Sequence, residues 1–278
     1  EADRIAHIKA TGAQTGNVFL AFKDVHELNP IIEKWKSEKT PVYDFTTEDN
    51  VQHTVWVIND EKVIHDITGI FRTKVDCTYI ADGHHRAASA AKVKNELPDN
   101  NAANYFLTTL FPASQLHIMD YNRVVKDLNG LSAKEFMERL NRNFTVEQER
   151  DAYAPTHSHN FGMYLGGRWY RLTALEGTYP TDPVGILDVA ILQNNLLEPV
   201  LGIHDQRTDK RIDFVGGIRG LKELEKRVDS REWAVAFSLY PVSIQQLFDI
   251  ADTGNVMPPK STWFEPKLRD GLLTHLIG

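Results

Sequence analysis

The chain has a single cysteine among its 278 residues, Cys77. That excludes an internal disulfide and any metal site built on several thiolates, and it makes a reducing cytoplasm the expected compartment. Long apolar runs are missing too. Nothing approaches the roughly 20 residues that a membrane helix requires, and no stretch reads as a signal peptide. Positive charge is in deficit, with 31 Lys and Arg against 38 Asp and Glu and a formal net charge of −7. Proteins that bind nucleic acid by neutralising its phosphates are usually basic, so neither nucleic acid nor a membrane is an expected partner. There is no Gly-x-Ser-x-Gly elbow. The one glycine-rich turn near the start, Thr11-Gly12-Ala13-Gln14-Thr15-Gly16, lacks the lysine and hydroxyl of a Walker loop and reads as a plain turn, with contact to a ligand through its backbone amides as the alternative.

What is present is enough to fold, since 42% of the residues are hydrophobic, which supports one large or two modest domains. Glu1 opens on what reads as the middle of a helix, so a chain truncated at its N-terminus is expected. Residues 17–22 read as an apolar strand, followed by a helix from Asp24 to about residue 37. Residues 41–45, 52–59 and 62–67 alternate in part and predict three strands, with Asn59-Asp60-Glu61 as a hairpin turn between the last two. Residues 75–81 predict a buried strand that contains Cys77, and 84–94 an alanine-rich helix. Strands are expected at 104–111 and 116–120, then a helix opened by the capping box of Ser132 and Glu135. Antiparallel strands follow at 144–147, 160–165 and 168–172, and an apolar helix at 186–197 stopped by Pro199. Strands at 212–215 and 234–240 and helices at 220–229 and 243–252 complete the pattern. This order predicts a mixed α+β class, with a boundary within 147–158 and domains spanning 1–150 and 151–278.

The strongest site signal is Tyr79-Ile80-Ala81-Asp82-Gly83-His84-His85-Arg86, which reads as a strand, a tight glycine turn and a helix N-terminus. Gly83 lets the backbone turn sharply and approach a ligand, while the free amides of the helix point at negative charge. Arg86 adds a planar fork suited to phosphate, and His84 and His85 can donate to phosphoryl oxygens. Asp82 can orient a histidine, hold a phosphate through a metal or act as a base. The competing reading is a helix capped by Asp82, with Arg86 on a surface carboxylate. Adjacent histidines diverge by ~100° on a helix, which disfavours a zinc pair, and no metal ligands of the protein's own are assigned.

Two later loops carry further candidates. The segment from His204 to Arg211 mixes charges, and His204, Arg207 and Arg211 are either ligand contacts or part of a solvated run. Met257-Pro258-Pro259 stiffens the chain before Lys260, Ser261 and Thr262, giving either an anion-binding loop or a rigid strap that packs Trp263 on the core. All three segments are expected to build one phosphate site centred on Asp82. Arg123 reads as a surface ion pair and Cys77 as inert.

In Ile80-Ala81-Asp82-Gly83-His84-His85-Arg86, His204-Asp205-Gln206-Arg207-Thr208-Asp209, Phe214-Val215 and the run from Met257 to Lys267, the sequence resembles the bacterial family called domain of unknown function 1015. That family carries a further N-terminal region, and usually an aromatic after the arginine, where this chain has Ala87. The Asp-Gly-His-x-Arg turn also resembles the phosphate-binding turn of the ParB and sulfiredoxin superfamily, which includes free-serine kinases. This second resemblance implies a ParB/sulfiredoxin-like N-terminal part with a second α/β lobe. It further implies a nucleotide phosphate seated after Asp82, ATP or ADP with Mg²⁺ as cofactors, and serine-kinase-like phosphoryl transfer to a small hydroxylated metabolite. A phosphatase acting on a phosphometabolite and a non-catalytic ligand-binding regulator are the alternatives. Sulfiredoxin chemistry is disfavoured because the turn has no cysteine. The expected partner is a small phosphorylated ligand, and the sequence is compatible with a homodimer.

Overall fold

In the computed structural model, which describes residues 1–278, the chain divides into two units, Glu1–Leu116 with Leu268–Gly278, and His117–Lys267. Both interleave helices and strands, so the class is α+β.

The first unit opens with α1 (Ala2–Thr11), closed by the left-handed Gly12. After β1 (Ala13–Gln14) comes β2 (Val18–Phe22), all five residues of which are buried. Next are α2 (Leu28–Glu38), the hairpin of the exposed β3 (Tyr43–Thr46) and the partly buried β4 (Gln52–Val55), and α3 (Glu61–Lys74). Then follow β5 (Tyr79–Asp82), α4 (His84–Glu96) and β6 (Thr108–Pro112). β2 is the middle strand of the sheet β5-β2-β6, antiparallel to β5 and parallel to β6. A strand covered on both faces needs no polar alternation, which explains its unbroken apolar run.

Several expectations fail in this unit, among them residues 104–107, which precede β6 instead of belonging to it. Residues 62–67 are helical, because the Asp60 carboxylate accepts from the amides of Lys62 and Val63 and so caps α3. Val63, Ile64, Ile67, Ile70 and Phe71 recur at helical spacing, which a six-residue window mistook for alternation. Residues 75–78 lie outside β5, and Cys77 is exposed instead of buried.

The second unit holds β7 (His117–Met119), β8 (Tyr121–Val125), α5 (Ala133–Leu140), β9 (Phe144–Glu149), β10 (Asn160–Leu165) and β11 (Arg168–Ala174). It continues with α6 (Asp188–Leu192), β12 (Ile212–Gly216), α7 (Leu221–Asp229), β13 (Val235–Leu239), α8 (Ile244–Asp252) and β14 (Trp263–Glu265). Six strands form an antiparallel sheet in the order β12-β8-β13-β10-β11-β9. One hydrophobic cluster gathers Phe136, Phe144, Phe161, Leu172 and Ile191, and a second gathers Tyr164, Trp169, Leu224 and Trp233. The Ser132–Glu135 capping box forms as expected. The apolar helix expected at 186–197 is α6 followed by a π-helical turn at Gln193–Leu197.

Arg123, expected on the surface, is 0% exposed on β8. Its guanidinium donates to the carbonyls of Tyr121 and Lys260 and lies 3.4 Å from Gln206 Oε1. It also stacks over the Phe214 ring at 5.4 Å. β8 has strands on both sides, so its side chains are covered in a way that no local pattern reveals.

The C-terminal segment belongs to the first unit. There β15 (His275–Leu276) pairs antiparallel with β1, and Ile277 is buried with Ile8 and Val93. No helix of the chain is long and apolar enough to cross a membrane.

Candidate functional site

Gly83 links β5 to α4 at φ 94°, a conformation that L side chains rarely adopt. A Cβ there would stand 3.2 Å from Arg86 Nε and 3.3 Å from Val18 Cα, so the glycine is needed for space as well as for φ. Gly83→Ala is accordingly expected to cost about 1–2 kcal/mol of stability, read from urea denaturation, and to push Arg86 off the turn. Asp82 does not cap the helix. Its Oδ1 accepts from the Gly83 amide at 2.7 Å, and no side chain caps α4. The amides of His84, His85 and Arg86 are therefore left without intrahelical acceptors at the positive end of the helix dipole.

Arg86 is 24% exposed and folds back over this turn. One end of its fork lies 3.5 Å from Asp82 Oδ2 and the other 3.5 Å from Asp270 Oδ1. Both distances exceed the 2.7–2.9 Å of a tight charge-assisted bond, so the guanidinium is oriented yet able to re-bond. One turn further along α4, Ser89 is 0% exposed and its hydroxyl has no hydrogen-bond partner. Serines inside helices usually bond back to the preceding turn, and a buried hydroxyl without a partner is costly.

Arg86 and Ser89 line an open cleft of about 1030 Å³ together with Arg4 and His7 of α1 and the Thr15-Gly16 turn. Asp270 and Gly271 stand on the same cleft. The two histidines of the motif face solvent. His84 is exposed, and His85 Nδ1 lies 3.4 Å from Glu1 Oε1. Glu1 also takes the Lys92 ammonium, and that bond, followed by His85, holds its carboxyl below the usual range.

The other candidate residues lie in the second unit, on two loops. His204 Nδ1 is 3.2 Å from Glu198 Oε1. Arg207 makes a fork-to-carboxylate pair with Asp205, which holds that acid down to about 2. Arg211 bonds Asp209, Asp127 and the carbonyls of Leu201 and Gly202, and Asp209 foremost shifts its guanidinium above the ordinary arginine value. Lys260 adopts φ 59° and places its ammonium 5.8 Å and 5.5 Å from the Tyr121 and Phe214 ring centres. Ser261 is buried and donates to the Pro258 carbonyl at 2.5 Å, and Thr262 is half-buried. Trp263 packs edge-on to Tyr121 and close over Gly216.

Sequence reasoning missed Arg4, His7, Ser89 and Asp270. Arg4 and His7 are three apart on α1, a spacing that puts them on one face and could have been noticed. Ser89 is the only polar residue in its alanine run. Asp270 carried no signal beyond the Asp-Gly turn.

No curated protein matches the chain. Among solved structures, free serine kinase in complex with AMP superposes with a TM-score of 0.45 at 12% identity, covering 95% of this chain and 78% of its own. A free serine kinase mutant in complex with ADP gives 0.44 at 15% identity with the same coverage. A conserved hypothetical protein from Pyrococcus furiosus gives 0.43 at 14%, covering 97% of this chain and 84% of its own. The family described as "Protein of unknown function (DUF1015)" matches residues 1–190, a span that contains the whole Asp82–Arg86 turn and ends before His204 and Lys260. The chain belongs to that family.

Proposed function

We propose that the protein seats the phosphate of a nucleotide or phosphometabolite at the head of α4 and transfers a phosphoryl group to a small hydroxylated acceptor. What carries this reading is that the first turns of α4 gather three kinds of donor open to a ligand, namely the uncapped amides, the loosely held Arg86 fork and the orphaned Ser89 hydroxyl. All three call for acceptor oxygens, and a phosphate offers several at once. A cleft of about 1030 Å³ exceeds what a lone phosphate fills and suits a nucleotide-sized ligand.

Phosphoryl transfer depends mainly on positioning and on stabilising the charge of the transferred group. The α4 amides and Arg86 provide both, and the exposed His84 imidazole next to them is a further donor. Mg²⁺ is usually held by one or two carboxylates plus the substrate phosphates. No group of three or more potential ligands gathers in the chain, so Asp82 at the turn would be the protein's own contribution. When bound, the ion would neutralise charge on the phosphate oxygens.

Calorimetric titration of ADP with Mg²⁺ tests the reading, and Arg86→Ala should weaken binding about 10- to 100-fold, the worth of a charged hydrogen-bond donor. With a pool of hydroxylated metabolites, nucleotide should be consumed by the wild type and not by Arg86→Ala. Phosphate release from phosphoserine without nucleotide would instead select a phosphatase, and binding without any product a regulator. Failure of every phosphorylated compound to bind would sink the proposal.

A further inference from the structure

We propose that Asp270 is a built-in competitor at this site, its carboxylate being held on Arg86 by the C-terminal segment where the phosphate of a ligand would otherwise bond. The inference rests on the phosphate site proposed above and adds a means of controlling it.

Asp270 is not carried on a loose tail. On one side Arg269 pairs with Asp49. On the other, His275 and Leu276 pair with β1, the Ile277 amide donates to the Gly12 carbonyl at 2.7 Å, and His275 Nε2 lies 2.9 Å from the Ala102 carbonyl. Between these anchors the chain places Asp270 Oδ1 3.5 Å from Arg86 Nη1. Gly16 makes room for the encounter, because a Cβ there would lie 3.2 Å from Asp270 Oδ1 and 3.3 Å from Arg86 Cδ. The acid is thus delivered to the one guanidinium on the cleft that also faces the head of α4.

The contact is built to give way. Asp270 is 72% exposed, so its side chain can swing into water, and Gly271 at φ 85° supplies a flexible joint directly after it. Exposed ion pairs contribute little, whereas a phosphate brings more charge and more oxygens to the same fork. A carboxylate that stayed beside the bound phosphate would repel it, since like charges a few ångströms apart disfavour one another. The sign of the effect follows. Removing the Asp270 charge should tighten phosphate binding, which is the reverse of what a ligand-holding residue would show.

The test is calorimetric titration of the full chain with ADP and, separately, with inorganic pyrophosphate, using wild type, Asp270→Asn, Arg86→Ala and the double variant. Asp270→Asn should bind both probes about twofold to fivefold more tightly than wild type. That gain should vanish on the Arg86→Ala background, because the competition runs through the arginine. Equal or weaker binding by Asp270→Asn overturns the inference, as does a gain that persists without Arg86, which would be a general charge effect. If wild type binds, Arg86→Ala weakens binding and Asp270→Asn is unchanged, only the competitor fails. If neither probe binds any of the four proteins, the phosphate site fails with it.

Discussion

Replacing Arg123 by alanine is expected to lower the unfolding free energy of the His117–Lys267 unit by about 3–5 kcal/mol, from buried acceptors left without a donor at roughly 1–3 kcal/mol each together with the cavity left behind. The Tyr121 and Lys260 carbonyls would lose their donor and Gln206 a neighbour, and the Phe214 ring would face a void. Burial pulls the guanidinium down to about 9, still charged at neutral pH, and no carboxylate pairs with it. Carbonyl dipoles and an aromatic face therefore replace the usual counter-ion. Arg123→Lys should recover only part of the loss, because a compact ammonium cannot span both carbonyls as the fork does. Arg123→Met, which fills the space without burying charge, should be milder than alanine. Urea midpoints at unchanged m-value measure all three, and an alanine variant as stable as wild type would remove Arg123 from the scaffold.

The second large effect is a pH dependence set by Asp188. This residue opens α6, is 6% exposed, and accepts the His159 amide through Oδ1 at 2.8 Å while Oδ2 has no partner. The neighbouring His159 ring is engaged with the Tyr179 hydroxyl. Burial lifts the Asp188 carboxyl to about 7, opposed in part by the His159 amide. In the unfolded chain the group ionises near the ordinary aspartate value, so between the two values the folded state holds a proton that the unfolded state has lost. Stability must then fall as pH rises through this window and level off above about 7. From pH 5 to pH 8 this one group should remove about 2–3 kcal/mol. Asp188→Asn should flatten the profile over that range, and parallel profiles for the two proteins would show that the carboxylate is relaxed by other means.

Local chemistry was legible where it decided the structure. The apolar run of β2, the Ser132–Glu135 box and the Asp82-Gly83 turn each impose their conformation through neighbouring residues, and each formed as read. Asp60 was misread because an aspartate before a mixed segment serves a hairpin or a helix cap equally well, and only the spacing over the next ten residues separates them. Arg123 was misread because its burial follows from the strands beside β8, which are distant in sequence. At the candidate site, Gly83 and Arg86 announce themselves within a five-residue motif. Ser89 becomes notable only once packing has denied its hydroxyl a partner, and Asp270 meets Arg86 across a separation of 184 residues. No window could join those two.

The return of the C-terminal segment to β1 also dictates an order of assembly. The first unit takes its final strand and its Ile277 core residue from the last stretch of the chain, so during synthesis it cannot close until His117–Lys267 has been made. The enclosed unit has its whole antiparallel sheet available earlier, and β14 pairs with β7 where the chain leaves and enters it. Although domains usually fold in the order they emerge, here His117–Lys267 is ready before Glu1–Leu116, which precedes it. A chain released short of residue 268 would present a finished second unit and a first unit in which Asp82 alone faces Arg86.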